Sequence, residues 1–154
     1  MLKFLAKLNF LITRLDRSVL LFWREPRTFF VLVRMAGWVV LLTLLTKIFS
    51  LQRVLRFITV RPVPSKQFIA PDKIVALLDQ LLSLNVLAFT PTCWKRAIIL
   101  HRFLALQGMT THIVFGVQRD EANNLSGHAW LEFEGQPFLE AQSPEFVPTF
   151  SFPD

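Results

Sequence analysis

The chain of 154 residues holds a single cysteine, no tyrosine and only 5 glycines. One cysteine excludes an internal disulfide and a cysteine-rich zinc site. Its unpaired thiol fits a reducing compartment better than a secreted one, so we expect a cytoplasmic location. The 3 histidines are scattered without the spacing of metal ligands, and neither a metal nor a cofactor is expected.

Acidic residues are scarce in the first part of the chain. Residues 1–61 hold 11 Lys and Arg against only Asp16 and Glu25, a net charge of +9, whereas residues 62–154 carry a net charge of −3. The segment Arg61-Pro62-Val63-Pro64 favours extended chain and is interpreted as a linker. We therefore predict a basic, apolar, helical region over 1–61 and a separate domain over 62–154.

A long uninterrupted hydrophobic run is also lacking. The uncharged stretch 35–46 lies between Arg34 and Lys47, and a spanning helix needs roughly 20 apolar residues. A buried helix, or one lying on a membrane surface, is therefore favoured there. The charges within the helix predicted over 2–22 argue against a signal peptide.

The excess of positive charge allows contact with an anionic membrane surface. A solvated basic face on ordinary helices explains the same charge at least as well. No nucleic-acid-binding motif accompanies it, so a nucleic-acid partner is not expected.

Capping and breaker residues place the elements of the second half. Thr92 is a favourable N-cap for a helix that begins at Cys93 and stops at Gly108, and another helix is predicted to begin at Pro71. The fold class expected is α+β, with a small antiparallel sheet after the helices. The remaining elements are strands over 111–117, 128–133 and 138–141, a polar loop over 120–126, and an irregular proline-containing tail after 141.

The only cysteine stands where a helix is predicted to begin. Backbone N–H groups and the helix dipole at such a position stabilise a thiolate, and the same amides can donate to an oxyanion. A neighbouring neutral imidazole would take the thiol proton and later protonate a leaving amine. Taken alone, Cys93 fits a buried, inert thiol better.

His128 is the histidine best placed to serve Cys93, because it opens a predicted strand and a carboxylate follows twelve residues later. His101 lies about two turns along the helix of Cys93 and roughly 80° around it, too far for a hydrogen bond. His112 has no carboxylate nearby in sequence. His101 and His112 are both expected to be packed or surface residues.

Two glutamates compete to orient His128. With a three-residue hairpin loop, Glu134-Gly135-Gln136, Glu140 lies diagonal to His128 on the same face of the sheet. A two-residue loop would turn Glu140 to the opposite face and leave Glu132 as the candidate. We assign the role to Glu140 and leave Glu132 open. Glu132 and Glu134 are otherwise ordinary solvated strand residues.

Three stretches together resemble the transglutaminase-like superfamily. They are Cys93-Trp94-Lys95-Arg96-Ala97 with Gly108 after it, the strand ending in Gly116-Val117, and Gly127-His128-Ala129-Trp130-Leu131-Glu132. Within that superfamily, residues 71–141 are most similar to the leader-peptide proteases of lasso-peptide maturation, the microcin-processing type. Cys93, His128 and Glu140 fall on the cysteine, histidine and acid positions of those proteases.

One departure concerns the acid. The family usually has Asp where this chain has Glu140, and the extra methylene moves the carboxylate by about 1.5 Å. Other catalytic triads do use Glu. The orienting role of Glu140 therefore depends on where the longer side chain places its carboxylate.

The resemblance implies a cysteine peptidase with a transglutaminase-like or papain-like core over residues 62–154. Cys93 would be the nucleophile, His128 the base and then the acid, and Glu140 the group that orients His128. The enzyme would cut the leader from a ribosomally made precursor peptide through a thioester. The partners implied are a leader-binding protein and an ATP-using lasso cyclase.

Two alternatives to the peptidase remain open. One is acyl transfer to an amine, as in true transglutaminases, since both reactions pass through a thioester. The other is a non-catalytic protein that binds a membrane surface or a partner, because a fold alone does not guarantee its usual function.

Overall fold

The computed structural model describes residues 26–60, 62, 69–119, 123–140 and 145–153. Within these residues lie four α-helices and one antiparallel sheet of four strands, which confirms the α+β prediction. The helices are α1 (Pro26–Ile48), α2 (Leu51–Ile58), α3 (Pro71–Leu82) and α4 (Cys93–Ala105), with a short 3-10 turn at Leu87–Phe89. The strands are β1 (His112–Arg119), β2 (Leu125–Phe133), β3 (Gln136–Phe138) and β4 (Val147–Phe152).

Some predicted elements cannot be compared with the structure. The helix over 2–22 and most of the linker at 61–64 lie outside the described residues, as does part of the loop at 120–126.

The first helix, α1, is longer than the uncharged stretch inside it. It runs for 23 residues through Arg34 and is followed by a corner at Phe49-Ser50 before α2 begins. Its length and a mean hydropathy of 2.1 would suffice to cross a membrane, and only 22% of that apolar window is buried. Core helices of soluble proteins meet the same test of length and composition. The buried side chains of α1 are Thr28, Met35, Val39 and Leu42.

A single hydrophobic core joins α1 and α2 to α3, α4 and the sheet. Arg102 of α4 holds these helices together, since its guanidinium stacks 3.6 Å from the centre of the Trp38 ring of α1 and donates to the carbonyl of Ile58 at the end of α2. Burial, and secondarily the charge of Arg34, lowers the pKa of Arg102. Residues 26–58 thus pack onto the rest of the chain, and the domain boundary at residue 61 stays a prediction.

The strands lie in the order β3-β2-β1-β4. β4 pairs with β1 inside the tail for which the sequence predicts irregular structure, so that prediction is wrong. The prolines of this tail do not prevent a strand, because Pro148 lies on an edge strand, where a missing N–H is tolerated. The pairing is irregular between Phe115 and Gly116, and Thr149 fills this bulge by donating from Oγ1 to the Phe115 carbonyl at 3.0 Å.

The β2–β3 hairpin has a two-residue turn, Glu134-Gly135, because Phe133 pairs with Gln136. Of the two loop lengths considered from the sequence, the three-residue loop Glu134-Gly135-Gln136 is therefore wrong. Both turn residues have positive φ, 52° at Glu134 and 75° at Gly135, as a type I′ turn requires. Glutamate is not among the residues that favour that turn, so composition alone does not reveal it.

Candidate active site

Cys93 is the first residue of α4 and lines a cavity of about 470 Å³. Thr92 occupies the N-cap, but its side chain makes no capping hydrogen bond. Its backbone carbonyl accepts a hydrogen bond from the Arg96 N–H at 3.1 Å, which starts the helical pattern. The N–H groups of the first turn, beginning with that of Cys93, therefore lack a side-chain cap and can serve a bound anion.

His128 faces the same cavity from β2. Its position follows from the strand register, since it lies directly opposite Gly116 of β1. Trp130, two residues further along the strand, stacks on the imidazole with ring centroids 6.0 Å apart and an angle of 16° between the planes. Phe146 contacts the imidazole as well, at 5.2 Å between centroids. The two aromatic rings restrict the orientation of the imidazole.

Gly116 makes room for this aromatic packing. A Cβ atom at Gly116 would lie 2.8 Å from two ring carbons of Trp130 and 2.9 Å from Cβ of Phe146. Carbon atoms cannot approach so closely in a packed interior. The glycine is therefore required by the ring that supports His128.

Glu140 lies beside the same imidazole. Its Oε2 is 3.7 Å from Nε2 of His128, which is too long for a hydrogen bond but within the range of an ion pair when the ring is protonated. Since Nε2 faces the carboxylate, Nδ1 is the ring nitrogen that Glu140 leaves available for another partner.

Glu140 reaches His128 by a route that differs from the predicted one. Strand β3 ends at Phe138, and Leu139 has φ 60°, a left-handed conformation that interrupts the alternation of a strand. The argument that a two-residue turn excludes Glu140 is therefore wrong, because the strand does not continue to that residue. Glu132 instead accepts a hydrogen bond from Trp130 Nε1 at 3.1 Å.

Arg96 fixes Glu140 in place. Its NH1 nitrogen donates to Oε1 of Glu140 at 3.0 Å, and its NH2 nitrogen donates to the carbonyl of Leu139 at 3.0 Å. On its other side the guanidinium bonds Asp79 of α3, with Nε to Oδ1 at 2.9 Å. One carboxylate oxygen of Glu140 is thus held by Arg96 while the other faces His128.

In the sequence, Arg96 is visible only as part of the motif that follows Cys93, and nothing there indicates a role for it. The signal available was its position three residues after Cys93, which places the two side chains on neighbouring positions of one helix surface. Its carboxylate partner lies 44 residues away, so the sequence could not identify it. The contact of Phe146 with His128 was also not predicted, because it joins residues that are distant in sequence.

The other histidines have structural positions, as expected. His101 is 4% exposed and its Nδ1 lies 3.0 Å from Oγ1 of Thr111. Burial lowers the pKa of His101 to about 4, and the charge of His112 adds to that shift. His112 opens β1 and is half-buried. Neither histidine is among the described residues that line the cavity.

Lys95 supports the approach to α4. Its Nζ donates to the carbonyl of Ala88 at 3.2 Å and to Oγ1 of Thr90 at 2.9 Å, and it lies 5.6 Å from the Trp94 ring centre. Burial lowers the pKa of Lys95. This lysine therefore anchors the segment that leads into Cys93.

None of the described residues that line the cavity is Lys, Arg, Asp or Glu. Among the described residues, no group of three or more His, Cys, Asp or Glu is placed to hold a metal ion. The lining comes from α1, α2, α4 and three strands, and consists of Thr46, Leu51, Cys93, Trp94, Phe115, Gly116, Val117, Gly127, His128, Ala129 and Thr149.

Comparison with known proteins agrees with the α+β fold. A family model described as the transglutaminase-like superfamily matches residues 38–151, and this range includes Cys93, His128 and Glu140. No curated protein and no solved structure matches the chain. Because the family model covers about three quarters of the sequence, the chain belongs to the transglutaminase-like superfamily.

Proposed function

We propose that this chain is a cysteine peptidase that cuts the leader from a lasso-type precursor peptide. The observation that carries the proposal is that Cys93 and His128 line one cavity while Glu140 lies 3.7 Å from Nε2 of His128. Membership of the superfamily supports thioester chemistry in general. The choice of a lasso leader as substrate rests on the motif resemblance over residues 71–141.

In the first half of the reaction, Nδ1 of His128 takes the proton of the Cys93 thiol. The thiolate then attacks the carbonyl carbon of the scissile peptide bond. The negative charge that develops on the carbonyl oxygen is stabilised by N–H groups in the first turn of α4. The imidazolium returns its proton to the leaving amine, and a thioester on Cys93 remains.

In the second half, water replaces the amine. His128 takes a proton from the water, the resulting hydroxide attacks the thioester carbonyl, and the thiolate leaves with that proton returned to it. Glu140 stabilises the imidazolium formed in both halves, since its carboxylate faces the ring nitrogen that is not exchanging protons. Arg96 keeps Glu140 in that position and acts as a positioning residue.

The cavity favours an uncharged stretch of peptide at the cleavage position. None of the described residues that line it is Lys, Arg, Asp or Glu, and a charged side chain would lose its hydration there without an oppositely charged partner. A volume of about 470 Å³ admits one or two side chains of a peptide. Recognition of the rest of the leader is therefore left to a partner, and we propose the small leader-binding protein that the resemblance implies.

The test is cleavage of a lasso-type precursor peptide by the full chain, with a leader-binding partner and the cyclase present, followed by mass spectrometry. We expect two shorter peptides and a transient adduct on Cys93. Cys93→Ala and His128→Ala should abolish cleavage, whereas His112→Gln, the matched histidine outside the cavity, should retain it.

Two results would contradict the proposal. A cross-link between the precursor and an added amine, without a shorter peptide, would indicate acyl transfer instead. Equal alkylation of Cys93 by iodoacetamide at pH 6 in folded and denatured protein, together with no cleavage, would indicate a non-catalytic thiol, since an activated thiolate reacts faster in the folded state.

A further inference from the structure

The exposed side of α1 and α2 combines apolar and cationic residues without any acid. Residues 26–58 contain no Asp or Glu. We call this surface the docking face and define it by exposed residues of the two helices. Its cations are Arg27, Arg34, Lys47, Arg53 and Arg56, and its large apolar side chains are Phe30, Val33, Val40, Leu44, Ile48, Phe49, Leu51 and Phe57.

The docking face is continuous along α1 and lies opposite the helix side that enters the core. Phe30, Val33, Val40, Leu44 and Ile48 recur at the spacing of a single helical face. Their exposure is high for apolar residues: Phe30 is 62% exposed and Ile48 is 74% exposed. The exposed side of an ordinary surface helix is polar. The exposed apolar side of α1 therefore indicates that a partner covers it.

We propose that the docking face binds the surface of an anionic lipid bilayer, with α1 lying in the plane of the membrane. The proposal does not depend on the peptidase activity. Such a surface offers negatively charged headgroups and hydrocarbon in one layer, which matches cations and apolar side chains on one side of two helices. No carboxylate among the described residues forms an ion pair with any of the five cations, which leaves them for the headgroups.

Charge argues against two other ways of covering this face. A second copy of the chain would place the cations of one docking face against those of the other. Residues 1–25 hold 5 Lys and Arg against Asp16 and Glu25, so that segment is itself positively charged. Like charges repel in both cases, whereas an anionic bilayer attracts the segment and the face together.

Packing argues for an in-plane helix over a spanning one. Met35, Val39 and Leu42 are fully buried in the core that α1 shares with the other helices. A spanning helix would have to leave that core, because lipid would surround it on all sides. An in-plane helix keeps its buried side and gives only its exposed side to the membrane.

The active-site cavity lies next to this face. Leu51 belongs both to the docking face and to the cavity lining, and Thr46 of α1 lines the cavity as well. A second, apolar groove of about 260 Å³ at the same corner is lined by Leu45, Phe49, Val54 and Phe57, with Arg53 beside it. Docking therefore brings the opening near Cys93 close to the lipid headgroups.

The first experiment measures binding of the full chain to phosphatidylcholine vesicles with and without phosphatidylglycerol, by flotation at low and high salt. We expect binding only to the anionic vesicles and release by high salt. Arg53→Glu with Arg56→Glu should weaken binding by at least roughly tenfold, since each basic residue near an anionic surface contributes about fivefold. The matched control, Lys73→Glu with Arg119→Glu, changes the net charge equally but alters exposed cations of α3 and β1, and should bind nearly as the native chain does.

The second experiment locates the contact. In a Cys93→Ser background, Val40→Cys carries an environment-sensitive fluorophore, and Glu134→Cys in the β2–β3 turn carries the same label as a control. Anionic vesicles should shift the emission of the first label to the blue and leave the second unchanged.

Three results would overturn the proposal. Vesicle binding without a shift at position 40 would assign it to residues 1–25 alone. Binding that survives high salt and alkaline carbonate would indicate a spanning helix. A concentration-dependent dimer with no vesicle binding would indicate that a second copy covers the face.

Discussion

Replacing Arg96 by glutamine tests whether the candidate site depends on a positioned carboxylate. The native guanidinium bonds Glu140 and the Leu139 carbonyl on one side and Asp79 on the other. Glutamine is too short to reach all three and carries no charge. The prediction is that Arg96→Gln both destabilises the fold and frees Glu140 from its position beside His128.

The structure gives a magnitude for the stability change. Arg96 and Glu140 are only 24% and 17% exposed, and Arg96 also donates to the backbone carbonyl of Leu139. Hydrogen bonds to charged groups contribute about 1.5–3 kcal/mol each in such settings. Because both side chains are partly exposed, the loss of these two hydrogen bonds should lower the free energy of unfolding by about 2–4 kcal/mol. Asp79 is 47% exposed, so its ion pair contributes less than about 1 kcal/mol. Asp79→Asn is therefore the matched control for the outer half of the Arg96 contacts.

Two assays separate stability from chemistry. Urea unfolding measures the free-energy change of Arg96→Gln and Asp79→Asn. Alkylation of Cys93 by iodoacetamide at pH 6, followed by mass spectrometry, reports the thiolate without a substrate. We expect Arg96→Gln to slow alkylation roughly tenfold, the factor that about 1.4 kcal/mol of lost imidazolium stabilisation produces. A misplaced orienting group should also reduce cleavage by about a hundredfold.

A double variant decides whether Arg96 acts through Glu140. If it does, Arg96→Gln combined with Glu140→Gln alkylates at the same rate as Glu140→Gln alone, because the two changes remove one interaction. If Arg96→Gln lowers the free energy of unfolding but leaves the alkylation rate native, the residue supports the fold only and the positioning role is refuted.

Three further predictions concern single residues. Burial depresses the pKa of His101 to about 4 in the folded chain, so the unfolded chain takes up a proton first as the pH falls below about 6.5. The free energy of unfolding should therefore drop by up to about 3 kcal/mol between pH 6.5 and 4. Urea unfolding measured across this pH range should show a smaller drop for His101→Gln. Gly116→Ala should destabilise the fold by about 1–3 kcal/mol and lower Cys93 reactivity, because its Cβ would displace the Trp130 ring; an unchanged melting temperature would contradict that packing argument. Glu132→Gln should leave alkylation and cleavage almost native while Glu140→Gln reduces both, and the reverse order would assign the orienting role to Glu132.

Local signals were sufficient to predict a helix that begins at Cys93 and a strand that contains His128. Thr92 and Gly108 place the helix between them, and the structure has its first residue at Cys93 and a left-handed Gly108, φ 85°. The alternation from His128 to Phe133 indicates β2 because it has the period of a strand, but the strand begins at Leu125, within the stretch 120–126 for which a loop is predicted.

Features that depend on distant contacts could not be predicted in the same way. The Leu139 backbone has positive φ although leucine gives no sign of it, and the contact of Arg96 with the following carboxylate spans 44 residues. β4 was not predicted, because Pro148 is tolerated in a strand only at the edge of a sheet. That β4 forms the edge is known only from the tertiary structure. The sequence likewise does not show which apolar side chains of α1 enter the core and which stay exposed, because that depends on the packing of α1 against the other elements.

The corner between α1 and α2 limits how the protein can be shortened or engineered. Thr46 and Leu51, on either side of that corner, form part of the wall around Cys93. A fragment that begins after residue 61 would leave the cavity open on that side and would expose the core surface that Met35 and Val39 cover. Solubility should therefore be improved by polar substitutions at outward positions such as Phe30 or Ile48, with both helices retained, because deleting the helices would remove part of the cavity wall.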